Sequence, residues 1–280
     1  MSLLLLLSVI AASDKYFRDT KGNPWDGNAV FIWSVSDGSL VKTLTLNDRF
    51  DEHHIVNRGA GSVTSLGLSP DGEQIGLARS GSVPVVLHRK TGRLDYLAGH
   101  TGNSHGLAFS PNGKILVSGT HRRPFVRLYD AASGKELAKF DLDGGEPTYG
   151  CVRFSPNGEQ IAVGVSDGTI RMLAADLSKQ VRSLQVSDEK EKVQTLAFAA
   201  KADLLAAATT EKVRLFVASS GKQLREWGKA ELMASSVALS PDGKLLAVGY
   251  GGKHNTKGER RGGFVNIWDT KTGRLVKKLE

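Results

Sequence analysis

Short apolar runs, most of them alternating with polar residues, follow one another along nearly the whole chain. Leu107-Ala108-Phe109 is one, Ile115-Leu116-Val117-Ser118 the next, then Phe125-Val126-Arg127-Leu128-Tyr129-Asp130 and Glu136-Leu137-Ala138-Lys139-Phe140. A two-residue alternation is the mark of a strand with one covered face. No stretch keeps a 3.6-residue apolar period between caps, so almost no helix is expected. Glycine-bearing turns separate the runs. Ser110-Pro111-Asn112-Gly113 joins the first to the second, and Ala132-Ser133-Gly134-Lys135 joins the third to the fourth. Connections this short make neighbouring strands antiparallel. The four runs are named a, b, c and d.

The unit repeats. Ser-Pro followed by Asp/Asn-Gly begins at Ser69, Ser110, Ser155 and Ser240, and a worn version, Ala199-Ala200-Lys201-Ala202-Asp203, fills the same slot between the last two. The steps are 41, 45, 44 and 41 residues, the period of a four-stranded propeller blade. A lone four-stranded sheet cannot bury both faces, and stacking blades around an axis solves that problem. The expected architecture is an all-β, β-propeller chain of four-stranded antiparallel blades with six repeats. Their approximate spans are 1–48, 62–98, 104–142, 149–186, 193–228 and 234–280 in one domain. The first lacks strand a, which gives 23 strands and suggests a truncated six- or seven-bladed ring.

The sequence resembles the WD40 family. Trp268-Asp269 after Val265-Asn266-Ile267 matches the family's closing signature, and Tyr129-Asp130 is a close variant. Trp33-Ser34, His88-Arg89, Leu173-Ala174 and Phe216-Val217 fill the slot elsewhere, and Gly99-His100 is the single Gly-His pair. The resemblance implies a buried network of a His, a strand-b Ser or Thr, a turn Asp and the Trp. Here it is incomplete: the unit with His100 has Ser118 but no turn Asp, and Asp167 sits in a unit without the His or the Trp. It also implies that loops joining d to a and b to c share one face, called the top, and that partners bind there.

Two long b–c loops draw attention on that face. Residues 12–28 carry Tyr16, Phe17, Arg18, Trp25 and Asp26, and residues 251–263 carry Lys253, His254, Lys257, Arg260 and Arg261. A shorter one carries Arg122 and Arg123. Aromatic and Arg side chains are common anchors of protein interfaces, and a rigid scaffold lets loops carry function. The alternative is tolerated insertion with solvated charge. These eleven residues, Asp26 apart, are the candidate partner-binding set.

Composition adds little to the fold and something to the partners. The formal charge is +8, and residues 242–280 hold nine Lys/Arg against four Asp/Glu. A basic balance favours acidic partners. The single cysteine, Cys151, cannot close an intramolecular disulfide and lies in an alternating run, as a small buried hydrophobe would. No phosphate loop or ligand-spaced histidine pair occurs. No catalytic residue, metal site or cofactor is expected. The function read from the sequence is a non-catalytic scaffold for protein–protein interaction. Nucleic-acid or other polyanion binding is the weaker alternative, and a propeller hydrolase the weakest. Within the apolar run Leu3 to Ala12, Leu6-Leu7-Ser8-Val9-Ile10 reads as strand b of the first unit, with a cytoplasmic protein as the consequence. Its rival is a secretory signal, which would make the protein exported, although no Lys or Arg precedes the run. Ten apolar residues are too few to span a bilayer as a helix.

Overall fold

A computed structural model describes residues 7–12, 29–34, 39–45, 63–79, 83–99, 104–120, 125–143, 147–187, 191–228, 233–251 and 263–279. Every regular element among them is a strand. Five four-stranded antiparallel sheets follow the chain. They are β4(Val63–Leu68) to β7(Leu94–Tyr96), β8(Ser104–Phe109) to β11(Glu136–Asp141), β12(Pro147–Phe154) to β15(Gln180–Gln185), β16(Thr195–Phe198) to β19(Gln223–Trp227) and β20(Met233–Leu239) to β23(Leu275–Leu279). In each the strands lie in chain order. A three-stranded sheet precedes them, formed by β1(Leu7–Ala12), β2(Ala29–Ser34) and β3(Leu40–Thr45). Among the described residues there are five complete blades and one three-stranded sheet, which corrects the expected six- or seven-bladed ring and agrees with the expected lack of a strand a in the first unit. We number the sheets 1 to 6.

The repeated Ser-Pro turn is built from one hydrogen-bond pattern. In sheet 3 the Ser110 hydroxyl donates to Asn112 Oδ1 at 2.8 Å and accepts from the Ile115 N–H at 3.0 Å. Ser69 with Asp71 and Gln74, Ser155 with Asn157 and Gln160, and Ser240 with Asp242 and Leu245 do the same. The hydroxyl thus replaces a missing ladder partner, and the Asx carboxyl or amide holds the hydroxyl. Gly113 follows at a φ of 72°, where a Cβ would be strained. In the c–d turn, Asp130 Oδ1 accepts from the Ser133 N–H at 2.8 Å, and Gly134 follows at a φ of 69°. The register then slips between Leu128 and Tyr129, the bulge that accompanies a three-residue hairpin loop. Sheet 4 departs from the pattern. Leu177 takes the left-handed position at a φ of 60° and is held there by burial in the core between sheets 3 and 4.

Packing runs from each sheet to the next. Ala78, Val86, Leu107, Leu116 and Tyr129 join sheets 2 and 3. Val117, Val126, Leu128, Val152, Ile161 and Val163 join sheets 3 and 4. Ala162, Ile170, Met172, Leu196, Leu205 and Phe216 join sheets 4 and 5, and Leu215, Trp227, Leu246 and Val248 join sheets 5 and 6. A further cluster, Val63, Ile75, Leu77, Val85 and Leu87, covers the face of sheet 2 on the side where β1 approaches β4. Sheet 6 is different. Leu246 is fully covered by sheet 5, whereas its neighbour Leu245 on the other face is 40 % exposed. Leu275, Val276 and Leu279 of β23 are exposed as well.

Candidate interaction face

The ends of strands b and the starts of strands c lie at one end of each sheet, together with the starts of the innermost strands. Side-chain contacts hold several of these strand ends. At the base of the 121–124 connection, the buried Thr120 hydroxyl donates to the Phe125 carbonyl at 3.0 Å. At the base of the 252–262 connection, Tyr250 stacks on Phe264 with centroids 4.8 Å apart, and Lys278 Nζ lies 4.7 Å over the Phe264 ring. Ala12 pairs with Ala29 at the base of the 13–28 connection. Tyr16, Phe17, Arg18, Trp25, Arg122, Arg123, Lys253, His254, Lys257, Arg260 and Arg261 themselves all lie outside the described residues. So do Asp26 and His100.

Two b–c turns are described in full. In sheet 4, Asp167 Oδ1 accepts from the Thr169 N–H at 3.0 Å and the Thr169 hydroxyl at 2.6 Å, and Oδ2 pairs with Arg171 at 2.8 Å. Burial pushes the Asp167 carboxyl up, but these hydrogen bonds and the Arg171 charge outweigh it and hold the pKa below the usual Asp value. In sheet 5, the Thr209 and Thr210 hydroxyls donate to the two oxygens of Glu191 at 2.7 and 2.9 Å. That ties a b–c turn to the preceding d–a connection.

The implied His–Ser–Asp–Trp network is not assembled among the described residues. The Ser118 hydroxyl and the Trp268 indole N–H are buried without a described partner. The closing dipeptide does other work. Tyr129 is buried and its hydroxyl donates to the Ala98 carbonyl at 2.9 Å, while Asp130 and Asp269 cap the c–d turns. Cys151 is buried, and its thiol donates to the Val193 carbonyl at 3.1 Å.

One set of contacts between sheets has no counterpart in the sequence reading. Arg182 of β15 donates to the carbonyls of Ala218 and Ser219, in the c–d turn of the next sheet. Arg225 of β19 repeats the contact on Thr270 and Lys271, at 3.2 and 2.6 Å. Arg182 and Arg225 hold one register position, since each pairs with the strand-c residue just before the bulge. Lys277 of β23 holds it in sheet 6. The signal available in the sequence was a long cation at one fixed place in successive units.

Residues 92–130 and 143–172 match the family model described as WD domain, G-beta repeat. Those two segments are WD40 repeats by this match. It is 35 % identical over 99 residues to an uncharacterized WD repeat-containing protein of Synechocystis, which covers 35 % of this chain and 28 % of that protein. It is 27 % identical over 192 residues to telomerase protein component 1 of Rattus norvegicus, covering 68 % of this chain and 7 % of that protein. It is 32 % identical over 151 residues to the human serine-threonine kinase receptor-associated protein, covering 52 % of this chain and 37 % of that protein. The chain thus spans well under two thirds of each.

Several carboxylates of the sheets hold turns and ion pairs. Arg214 and Lys212 lie 2.7 and 3.0 Å from Glu226, and the Arg214 hydrogen bond, then that of Lys212, holds its pKa down. Arg127 pairs with Glu136. No helix among the described residues is long and apolar enough to cross a membrane.

Proposed function

We propose that the chain is a non-catalytic scaffold that holds protein partners on the face carrying the b–c and d–a connections. The observation that carries this reading is the set of contacts at the strand ends of that face: Thr120, the Tyr250–Phe264 stack and the Thr209/Thr210–Glu191 clamp hold the places from which its connections leave. A fixed footing lowers the entropy that a loop surrenders on binding. The human kinase receptor-associated relative, by its name, also works alongside another protein. In this reading Tyr16, Phe17 and Trp25 supply apolar anchors. Arg18, Arg122, Arg123, Lys253, His254, Lys257, Arg260 and Arg261 supply charge for an acidic partner. Residues 1–280 then form one propeller domain in which β1–β3 is a partial sixth repeat, and the protein works in the cytoplasm.

The test is affinity capture from a lysate with wild type and with Trp25→Ala, Arg260→Glu, Arg261→Glu combined. The wild type should retain partners that the triple variant loses. An identical set of partners on both would refute the assignment.

The formal charge of +8 favours polyanion binding as a second reading. Affinity for a duplex oligonucleotide should then fall steeply with salt. No mobility shift at low salt would remove it.

A further inference from the structure

Sheets 4 and 5 bury one surface in the same way. In sheet 4 a row of cross-strand partners runs Ala162, Met172 and Arg182, and in sheet 5 it runs Ala206, Leu215 and Arg225. A second row runs Gly164, Ile170 and Leu184 in sheet 4, and Ala208, Val213 and Trp227 in sheet 5. Directly paired residues of an antiparallel sheet share a face. The middle residues Met172, Ile170, Leu215 and Val213 are at most 2 % exposed, since the following sheet covers them. Arg182 and Arg225 end their rows on carbonyls of the following c–d turn.

Sheet 6 carries both rows again, as Ala247, Ile267 and Lys277 and as Gly249, Val265 and Leu279. Phe264 and Trp268 pack toward sheet 5, so Val265 and Ile267 point the other way. Here the rows stay open. Val265 and Ile267 are half-buried, Lys277 is exposed, and Leu279 is 42 % exposed. Leu245 pairs with Asp269 and adds to the same side. The open side is also basic. Asp242 and Asp269 are the carboxylates in the described part of this sheet. The first pairs with Lys244 at 3.3 Å, and the second accepts from the Thr272 N–H and hydroxyl. Arg274 and Lys277 are exposed and have no described carboxylate partner.

From this repetition we propose that the far face of sheet 6 is a docking surface for a partner protein, and that it takes an acidic amphipathic segment. Apolar side chains of the segment lie on Val265, Ile267, Leu279 and Leu245, and its carboxylates meet Lys277 and Arg274. The chain already makes this kind of contact twice, as an apolar face closed at its rim by a cation on oxygen acceptors. Lys277 holds the place of Arg182 and Arg225. A carboxylate supplies the acceptor together with a charge, which strengthens the bond. Uncompensated cations beside an apolar patch select a partner of opposite charge. They also oppose a second copy of this chain, because a two-fold contact through this face would bring its own Lys277 and Arg274 against these. The surface lies on the flank of the last sheet and adds a second place of contact to the face that carries the b–c connections.

Fluorescence anisotropy tests the face with three labelled peptides of equal length: alternating Leu and Glu, alternating Leu and Lys, and alternating Ser and Glu. The Leu–Glu peptide should bind the wild type saturably and at least tenfold tighter than either of the others. Lys277→Glu should weaken that binding tenfold or more, and Leu279→Ser severalfold. Both side chains are exposed, so both variants should melt with the wild type. Lys114→Glu makes the same charge change on an exposed turn of sheet 3 and should leave binding as it is. A flat Leu–Glu titration, or Leu–Lys or Ser–Glu binding as tight as that of Leu–Glu, overturns the proposal. So does an equal loss in Lys114→Glu and Lys277→Glu, which would make the effect one of net charge alone. Sedimentation of the wild type without peptide should give a monomer. A dimer that Leu279→Ser abolishes would assign the face to a second copy and overturn the proposal as well.

Discussion

Truncating two adjacent leucines of β21(Leu245–Gly251) separates a covered blade face from an open one. Leu246→Ala removes a side chain that is fully buried against sheet 5, while Leu245→Ala removes one that is 40 % exposed on the far face. The three carbon groups lost are each worth about 0.8 kcal/mol when buried, or about 2.4 kcal/mol together. At Leu246 the unfilled space adds to this, for a loss of about 3–4 kcal/mol. At Leu245 roughly half the transfer term remains and no enclosed cavity forms, so the loss is about 1 kcal/mol. Urea unfolding followed by far-UV circular dichroism, with the midpoint and slope fitted for each variant, measures both. A Leu245→Ala loss as large as that of Leu246→Ala would show that sheet 6 is covered in solution, and it would refute the open face. A Leu246→Ala loss below 1 kcal/mol would refute the packing of sheets 5 and 6.

Three other outcomes are expected. Arg225→Ala removes the contacts from β19(Gln223–Trp227) to the Thr270 and Lys271 carbonyls and should cost about 1–2 kcal/mol in the same assay; no change would show that the inter-sheet link is dispensable. Ser110→Ala removes the hydroxyl that serves both Asn112 and the Ile115 N–H and should cost about 1 kcal/mol; Ser110→Thr should recover much of it, and an unaffected Ser110→Ala melting temperature would contradict the turn pattern. Acid should weaken the turns. The Asp71 carboxyl is held down first by the Ser69 hydroxyl, Asp242 by Ser240 and Asp130 by Ser133. A carboxyl depressed in the folded state binds its proton more readily when unfolded. The stability it contributes is therefore present above the ordinary Asp value of 3.8 and is lost as pH falls through the folded values. The melting temperature should drop below that pH, and less so for Asp71→Asn with Asp242→Asn, since Asn already serves at Asn112 and Asn157; an equal drop in that variant would place the acid sensitivity elsewhere.

The strands and turns were legible because the repeat writes them five times. A Ser-Pro-Asx-Gly turn has one geometry, and the alternation on either side fixes which residues face a neighbouring sheet. The size of the ring was less legible than the five complete units, since β1(Leu7–Ala12) reads as strand b without showing what it stacks on. The Arg182 and Arg225 contacts were hidden for a different reason. They join residues 36 to 46 positions apart, and only the stacking of sheets shows that the end of one strand d meets the next c–d turn. Arg153 was visible as a charge in an alternating run. That it stands where four other sheets carry Gly or Ala appears only when the register aligns it with Gly67, Ala108, Ala197 and Ala238. Leu177 was hidden because its left-handed backbone is stabilised by distant packing and not by the turn itself.

The arginine contacts have a mechanical consequence. The apolar clusters join neighbouring sheets across their faces, and Arg182 and Arg225 join them again along the outermost strands. A wedge fastened both at its hub and at its rim resists twisting about its own radius. Sheets 4, 5 and 6 should therefore turn as one stiff sector, so that a load applied at a loop tip on one of them is shared by all three.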